Sequence, residues 1–411
     1  MTTTDTAEST GADAAPAYPT VRAGCPLALP PLVGEMREER PVARVTLWDG
    51  SRPWVITRYA DARQALRDPR LSADLHRPGF PFISPVQKLQ QNQDLPVGFL
   101  RMDPPEHSRQ RRMLTQEFIV KRMERMRSEV DAMVDRLLDD MIAAGSPADL
   151  VGGFALPLPS LVICKLLGVP YQDHEFFQEQ SRLMLDQTAG LESVLAAREE
   201  LRGYFDRLAV HKRRRPADDL LSRLVAEQET PGHLSHDEVV GMAAVLLVAG
   251  HETTANMIGI GVLNLLERPD QWAALCEDPA LVPGAVEELL RYQTVIHTGL
   301  PRVATEDIEM GGVTIRAGEG ILIQLAAANR DPRFYDDPDR LDVRRPVRQH
   351  LAFGFGVHQC LGLPLARLEL QSALAGIVRR LPRLRVTKPL EQLDFRHRMN
   401  VYGVFELPVV W

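Results

Sequence analysis

Between Ser235 and Arg268 the chain runs without a proline. Ser235-His-Asp-Glu238 opens this stretch as a capping box, in which the hydroxyl and the carboxylate each accept a backbone N–H from the other residue. At 1.5 Å per residue the helix is roughly 48 Å long, enough to cross a domain. Its middle, GMAAVLLVAGHETTANMIGIGV, is apolar on all sides, so it belongs in an interior. The chain around it is expected to be mainly α with small β-sheets. Glu252, Thr253 and Thr254 interrupt the apolar run. A buried threonine commonly bonds back to the carbonyl four residues earlier. A carboxylate at that depth needs a partner or a task.

A second constraint is LAFGFGVHQCLG, residues 351–362. Phe353, Gly356, Cys360 and Gly362 give the spacing F-x-x-G-x-x-x-C-x-G. Gly356 is free to take a positive φ in a tight turn, and Gly362 has no Cβ to block an approaching group. Pro364 then opens an amphipathic helix, a position that proline favours. Cys360 therefore precedes a helix N-terminus, where free N–H groups and the dipole are expected to favour thiolate. A thiolate with a cleared face suits a soft metal or a haem iron. A lone cysteine is more often just buried; the four matched positions argue against that.

FGFGVHQCLG resembles the haem-binding loop of the cytochrome P-450 family. Ala249-Gly250-His251-Glu252-Thr253 is similar to the family's A/G-G-x-D/E-T motif, and Glu288-x-x-Arg291 to its E-x-x-R. The resemblance runs from about Cys25 to Trp411, and MDPPEHSRQRRMLTQEFIVKRM and RVATEDIEMGGVTIRAGEG bring it closest to soluble actinomycete hydroxylases. It implies haem b between the long central helix and the cysteine loop, with Cys360 as iron ligand. Ala249, Phe353 and Gly362 would line the haem. His107, Arg111, Arg302 and His358 would hold its two propionates, although His107 and Arg111, at i and i+4, would otherwise pass for a solvated helix face. Glu288 and Arg291 would lock the core beneath the haem with a third arginine, Arg340 first and Arg344 second. Glu252 and Thr253 would deliver protons, Glu252 by changing rotamer.

Along the chain, Val42–Trp48 and Trp54–Thr57 alternate around Asp49-Gly50, a hairpin signal. Helical periodicity follows over Tyr59–Arg67. Residues 70–100 are irregular and proline-rich, as a binding loop is, and 103–126 read as a helix. Leu158–Leu167 suits a buried helix. Residues 172–187 and 191–215 suit two amphipathic helices, by resemblance the roof of a pocket. Residues 302–325 read as short strands, and 397–407 as strand-like with a turn at Gly403.

The 411 residues would suit two or three domains, and one large domain equally. The resemblance implies one, over 19–411, behind a polar tail at 1–18. Net charge is −7, so a global nucleic-acid footprint is absent. Cys25, Cys164, Cys276 and Cys360 are far apart, which suits a reducing cytoplasm. The first residues lack the cationic and apolar regions of a signal peptide, so a soluble cytoplasmic protein, by expectation a monomer, follows.

The function implied is a monooxygenase that hydroxylates or epoxidises a bulky, largely apolar compound of secondary metabolism. Val245, Val248, Ala249, Thr298, Leu300 and the 401–404 turn are expected to face it. His297 is a weaker candidate, since a lone histidine is more often structural. No nicotinamide or flavin motif is present, so electrons are expected from a ferredoxin and its reductase, docked through Arg109, Arg112 and Arg367. Two alternatives stand beside this reading. Peroxide-driven peroxygenases of the family tend to lack the acid–threonine pair that this chain has. A non-enzymatic haem sensor would need neither that pair nor a substrate lid.

Overall fold

The structure, a computed structural model, describes residues 15–91, 98–347 and 349–411. The central helix spans His236–Leu266, and both halves of its capping box are formed. The Glu238 N–H reaches Ser235 Oγ at 3.2 Å and the Ser235 N–H reaches the Glu238 carboxylate at 2.7 Å. Its end comes two residues before the expected one. Arg268 folds back and donates to the Asn264 carbonyl at 2.9 Å, satisfying one of the open acceptors of the last turn.

Helix Pro157–Leu167 packs against this axis on one side and helix Leu363–Arg380 on another. Gly250 permits the first approach, because a Cβ there would stand 3.0 Å from Ile163 Cδ1. Helices His174–Leu185 and Leu191–Arg214 cross the N-terminal half. The most apolar window of the central helix is 72% buried inside the protein, so this is a core helix. No other helix among the described residues is long and apolar enough to cross a membrane.

The hairpin Val42–Arg44/Trp54–Ile56 pairs antiparallel, with Val42 opposite Ile56. Trp54–Ile56 then runs parallel to Gly320–Ile323, which pairs antiparallel with Leu300–Ala304. Leu71–Ser72 closes the other edge of this five-stranded sheet. The register sets Arg302 opposite Ile321 on an inner strand.

Several boundaries differ from the sequence reading. Residues 1–14 of the expected tail lie outside the described residues, as do 92–97 of the proline-rich loop. Residues 15–18, placed by the sequence reading in the tail, are held in the fold: Pro16 and Tyr18 pair with Thr46, and the buried Tyr18 hydroxyl donates to the Thr298 carbonyl at 3.0 Å. The 103–126 helix is two, Glu106–Thr115 and Val120–Arg125. The break turns Phe118 into the core and Glu117 onto Arg223, at 2.7 Å. Over 397–407 there are isolated bridges, Val401 with Ile296 and Met399 with Asp186, in place of a continuous strand.

Glu288 and Arg291, on helix Val282–Tyr292, are both fully buried. Arg291 Nε and Nη2 reach the Glu288 carboxylate at 2.6 and 2.8 Å, and Nη1 donates to the Asn329 and Pro338 carbonyls. The third arginine is Arg345, whose Nε lies 3.2 Å from Glu288 Oε1. This corrects Arg340 and Arg344. Arg340 contributes only its carbonyl to Arg291 and Arg345, and its side chain is exposed. The turn in which Arg345 N–H bonds Asp342 O swings Arg345 back beneath the helix. Removing one member of a buried ion pair strands the other in low dielectric. Glu288→Ala should therefore cost about 3–5 kcal/mol in urea unfolding, against less than about 0.5 kcal/mol for the surface change Arg340→Ala. Equal losses would remove Glu288 as the lock.

Candidate active site

The cysteine loop is shaped by two glycines in the left-handed region, Gly354 at φ +67 and Gly356 at φ +74. A Cβ on Gly356 would stand 2.4 Å from the Leu66 carbonyl oxygen, so no other residue fits. Cys360 N–H donates to the Phe353 carbonyl at 2.8 Å, and Gly362 caps the helix Leu363–Arg380. A Cβ on Gly362 would meet nothing within 4 Å. The space there belongs to a slot of about 280 Å³, walled by Cys360, Gly362 and Phe353 on one side and Ala249, Thr253 and Thr254 on the other.

Burial pushes the Cys360 thiol up, opposed by the N–H groups of Gly362 and Leu363 and by Arg111 and Arg367. The expected drop in its pKa is thus reversed, because desolvation outweighs the helix terminus. A bound cation would turn the balance, since a coordinating thiol loses its proton. Among the described residues no three His, Cys, Asp or Glu side chains cluster as metal ligands. Cys360 would be a lone protein ligand, which fits an iron already held by a porphyrin.

The cationic groups converge at the slot's edge. His107 is buried with neither ring nitrogen hydrogen-bonded, and its ring centre lies 4.1 Å from that of His358. Burial, then Arg302, His107, Arg111 and Arg101, push His358 down to about 3. Burial lowers Arg302 and Arg101 to about 10 each. The nearest carboxylate, Asp103, is occupied by the Ser72 hydroxyl and the Ala73 N–H. So much buried positive charge calls for an anion, and the two propionates of haem match it. Arg101 was not expected. Its one sequence signal is its place just ahead of the Asp103-Pro-Pro turn that starts the His107 helix.

A second chamber of about 460 Å³ meets the slot at Val245, Ala249, Thr253 and Leu300, which line both. Val248, Thr298 and Val401 line the chamber. The rest of the 401–404 turn faces elsewhere: Tyr402 donates to the Pro26 carbonyl, and a Cβ on Gly403 would stand 2.0 Å from Asn256 Oδ1. His297 is structural, with Nε2 2.8 Å from the Met399 carbonyl and burial holding it down at about 4. Thr253 Oγ1 donates to the Ala249 carbonyl at 2.8 Å. Glu252 faces neither cavity. Its carboxylate accepts from Arg396 at 2.7 Å and from Asn256 at 3.1 Å. The rotamer relay expected of it would have to break this buried pair, so its placement is that of a tie between the central helix and the C-terminal segment.

Burial and neighbouring Arg111 lower His107 in the folded chain. The unfolded chain accepts a proton near pH 6.5 that the folded chain resists, so folded stability is lost as pH falls below about 6.5. Without haem the urea midpoint should drop from about pH 7.5 to about pH 5.5, and two propionates should flatten that slope. Identical slopes with and without haem would dissolve the cradle.

The sequence profile of the family Cytochrome P450 matches residues 192–395. The chain is 54% identical over 407 residues to Cytochrome P450-SU2 of Streptomyces griseolus, covering 99% of this chain and 100% of that one. It is 49% identical over 409 residues to the vitamin D3 dihydroxylase of the same organism, again 99% and 100%. Among solved structures, the mycinamicin VIII C21 methyl hydroxylase MycCI from Micromonospora griseorubida, bound to mycinamicin VIII, matches with a TM-score of 0.90 at 41% identity. That match covers 96% of this chain and 100% of that one. The family binds haem through a cysteine thiolate and takes electrons from a redox partner. With this thiol-walled slot, its cationic edge and similarity over nearly its whole length, the chain belongs to the cytochrome P450 family, as a monooxygenase of the actinomycete CYP105 group.

Proposed function

We propose that the chain hydroxylates or epoxidises a bulky, weakly polar secondary metabolite, with electrons from a ferredoxin and its reductase in the cytoplasm. The observation that carries this is the chamber of about 460 Å³ opening onto the slot beside Cys360. Relatives named for vitamin D3 and for mycinamicin VIII support the class. Held by Cys360, Arg111, Arg302, His107 and His358, haem would supply the activation of dioxygen: RH + O2 + 2 e⁻ + 2 H⁺ gives ROH + H2O.

The chain's own groups do the rest. Val245, Val248 and Leu300 hold the substrate carbon and keep water out. Ala249 and Gly250 leave room over the slot. Thr253 Oγ1 keeps a proton at the boundary of the two cavities, parked on the Ala249 carbonyl until the hydroxyl rotates. Glu252, tied to Arg396, positions that stretch of helix. For the donor, Arg112 is exposed, and Val357 stands 52% exposed on the cysteine loop. Arg109 is a poor contact, since Glu106 and Glu238 already hold it, and Arg367 is held by Glu287 at 2.7 Å.

Titration with vitamin D3 and with macrolides should shift the Soret band, and turnover should yield a product one oxygen heavier. Thr253→Ala should keep haem, substrate binding and electron use, lower product by about an order of magnitude and release hydrogen peroxide instead. Full coupling in that variant would leave Thr253 a structural residue. Arg112→Glu should slow reduction by ferredoxin most at low salt. A reduction rate indifferent to ionic strength would refute an electrostatic dock.

A further inference from the structure

One wall of the chamber is held from behind by a residue that lines neither cavity, Tyr18. Its side chain is buried at 5% exposure. The hydroxyl donates to the Thr298 carbonyl at 3.0 Å and accepts from the Gln324 side-chain amide at 2.8 Å. The same Gln324 nitrogen reaches the His297 carbonyl at 2.7 Å. Two consecutive carbonyls are thus fixed by one pair of side chains. Burial holds the Tyr18 phenol well above its ordinary range, so it remains a donor. Directly after this clamp the chain turns. Gly299 sits at φ +86, and a Cβ there would stand 3.2 Å from the Ile323 carbonyl oxygen. Strand Leu300–Ala304 follows. Thr298, Gly299 and Leu300 all line the chamber, and Leu300 lines the slot as well. The orientation of the Thr298–Gly299 peptide therefore sets how Leu300 enters both cavities.

We propose that Tyr18, together with Gln324, is a positioning residue for the substrate: it fixes the Thr298–Gly299 peptide and thereby the wall that a bulky apolar compound meets above the slot. This deepens the proposed substrate reading and rests on it. Without the hydroxyl, the Thr298 carbonyl is a buried acceptor left bare. The loop then populates other arrangements, and a ligand that needs the native wall binds more weakly by the fraction of chains that still present it. A small ligand confined to the slot does not depend on that wall. The other chamber-lining turn is backed by the same N-terminal segment. Tyr402 donates to the Pro26 carbonyl at 2.9 Å, and the Arg22 guanidinium lies 3.9 Å from its ring centre. Val401, next to Tyr402, bridges to Ile296 ahead of the clamp. The segment that contains Tyr18 thus reaches behind both loops that shape the chamber, and a substitution outside the cavities changes what fits inside.

The test uses the haem-loaded protein, its Tyr18→Phe variant and, for comparison, Thr46→Val. Thr46 Oγ1 donates to the Ala15 carbonyl at 2.8 Å, so its loss loosens the same segment without touching Thr298. Two iron-binding probes are titrated by the Soret band: imidazole, which needs only the slot, and clotrimazole, whose three aryl rings need the chamber. Tyr18→Phe should bind imidazole as the wild type does and clotrimazole about tenfold more weakly. Thr46→Val should bind both as the wild type does. Should Tyr18→Phe not retain haem, Gln324→Met, which removes the other half of the clamp, carries the comparison. An unchanged clotrimazole affinity overturns the proposal. So does an equal loss for both probes, or the same loss in Thr46→Val, since either is the mark of general loosening. Vitamin D3 serves as a third probe. If it leaves the wild-type Soret band unmoved, the secosteroid part of the substrate reading fails, and the ratio of the two azoles still decides on Tyr18.

Discussion

Every residue from Thr254 to Leu265 is buried, and this dry half of the central helix dictates the packing of its neighbours. Each large apolar side chain hidden there contributes about 1.5–3 kcal/mol over its exposed state, on the condition that protein covers it on all sides. Helices Pro157–Leu167, Leu363–Arg380 and Val282–Tyr292 provide the cover. The N-terminal half is treated differently. Val245, Val248 and Ala249 face cavities, so that part of the helix is completed by whatever occupies them.

The same incompleteness appears in the electrostatics. The sheet delivers Arg302, the helix after Asp103-Pro-Pro delivers His107 and Arg111, and the cysteine loop delivers His358. These groups repel one another; Arg302 reaches only the Pro301 carbonyl beside it, and neither ring nitrogen of His107 has a partner. Other arginines of the interior find carbonyls or carboxylates, as Arg291 and Arg330 do. A fold that pairs its cations with carboxylates elsewhere and gathers several at one edge without one suits that edge to an anion, and binding there stabilises the folded state by mass action.

Three buried glutamates show how environment divides one residue type into three roles. Glu288 is held by two arginines and binds the core together. Glu252 is held by Arg396 and Asn256 and ties the central helix to the C-terminal segment. Glu369 has no charged partner and faces the slot. In the sequence only the first two carry a motif, and the third reads as one polar position in an amphipathic helix.

What the sequence determined by itself was local. The capping box, the proline-free apolar run, the glycine spacing around Cys360 and the i, i+4 placement of His107 and Arg111 all depend on residues within a few positions of one another. The periods of helix and turn fix such geometry before any packing occurs. The tertiary structure decided which distant groups meet. It chose Arg345 over Arg340 through the path of one turn, added Arg101 to the cradle, broke the 103–126 helix to seat Phe118, and turned Glu252 away from the cavities onto Arg396, 144 positions along the chain. Partners so far apart are selected by how loops return and which rotamers the surrounding packing leaves open, and no spacing rule in the sequence encodes that.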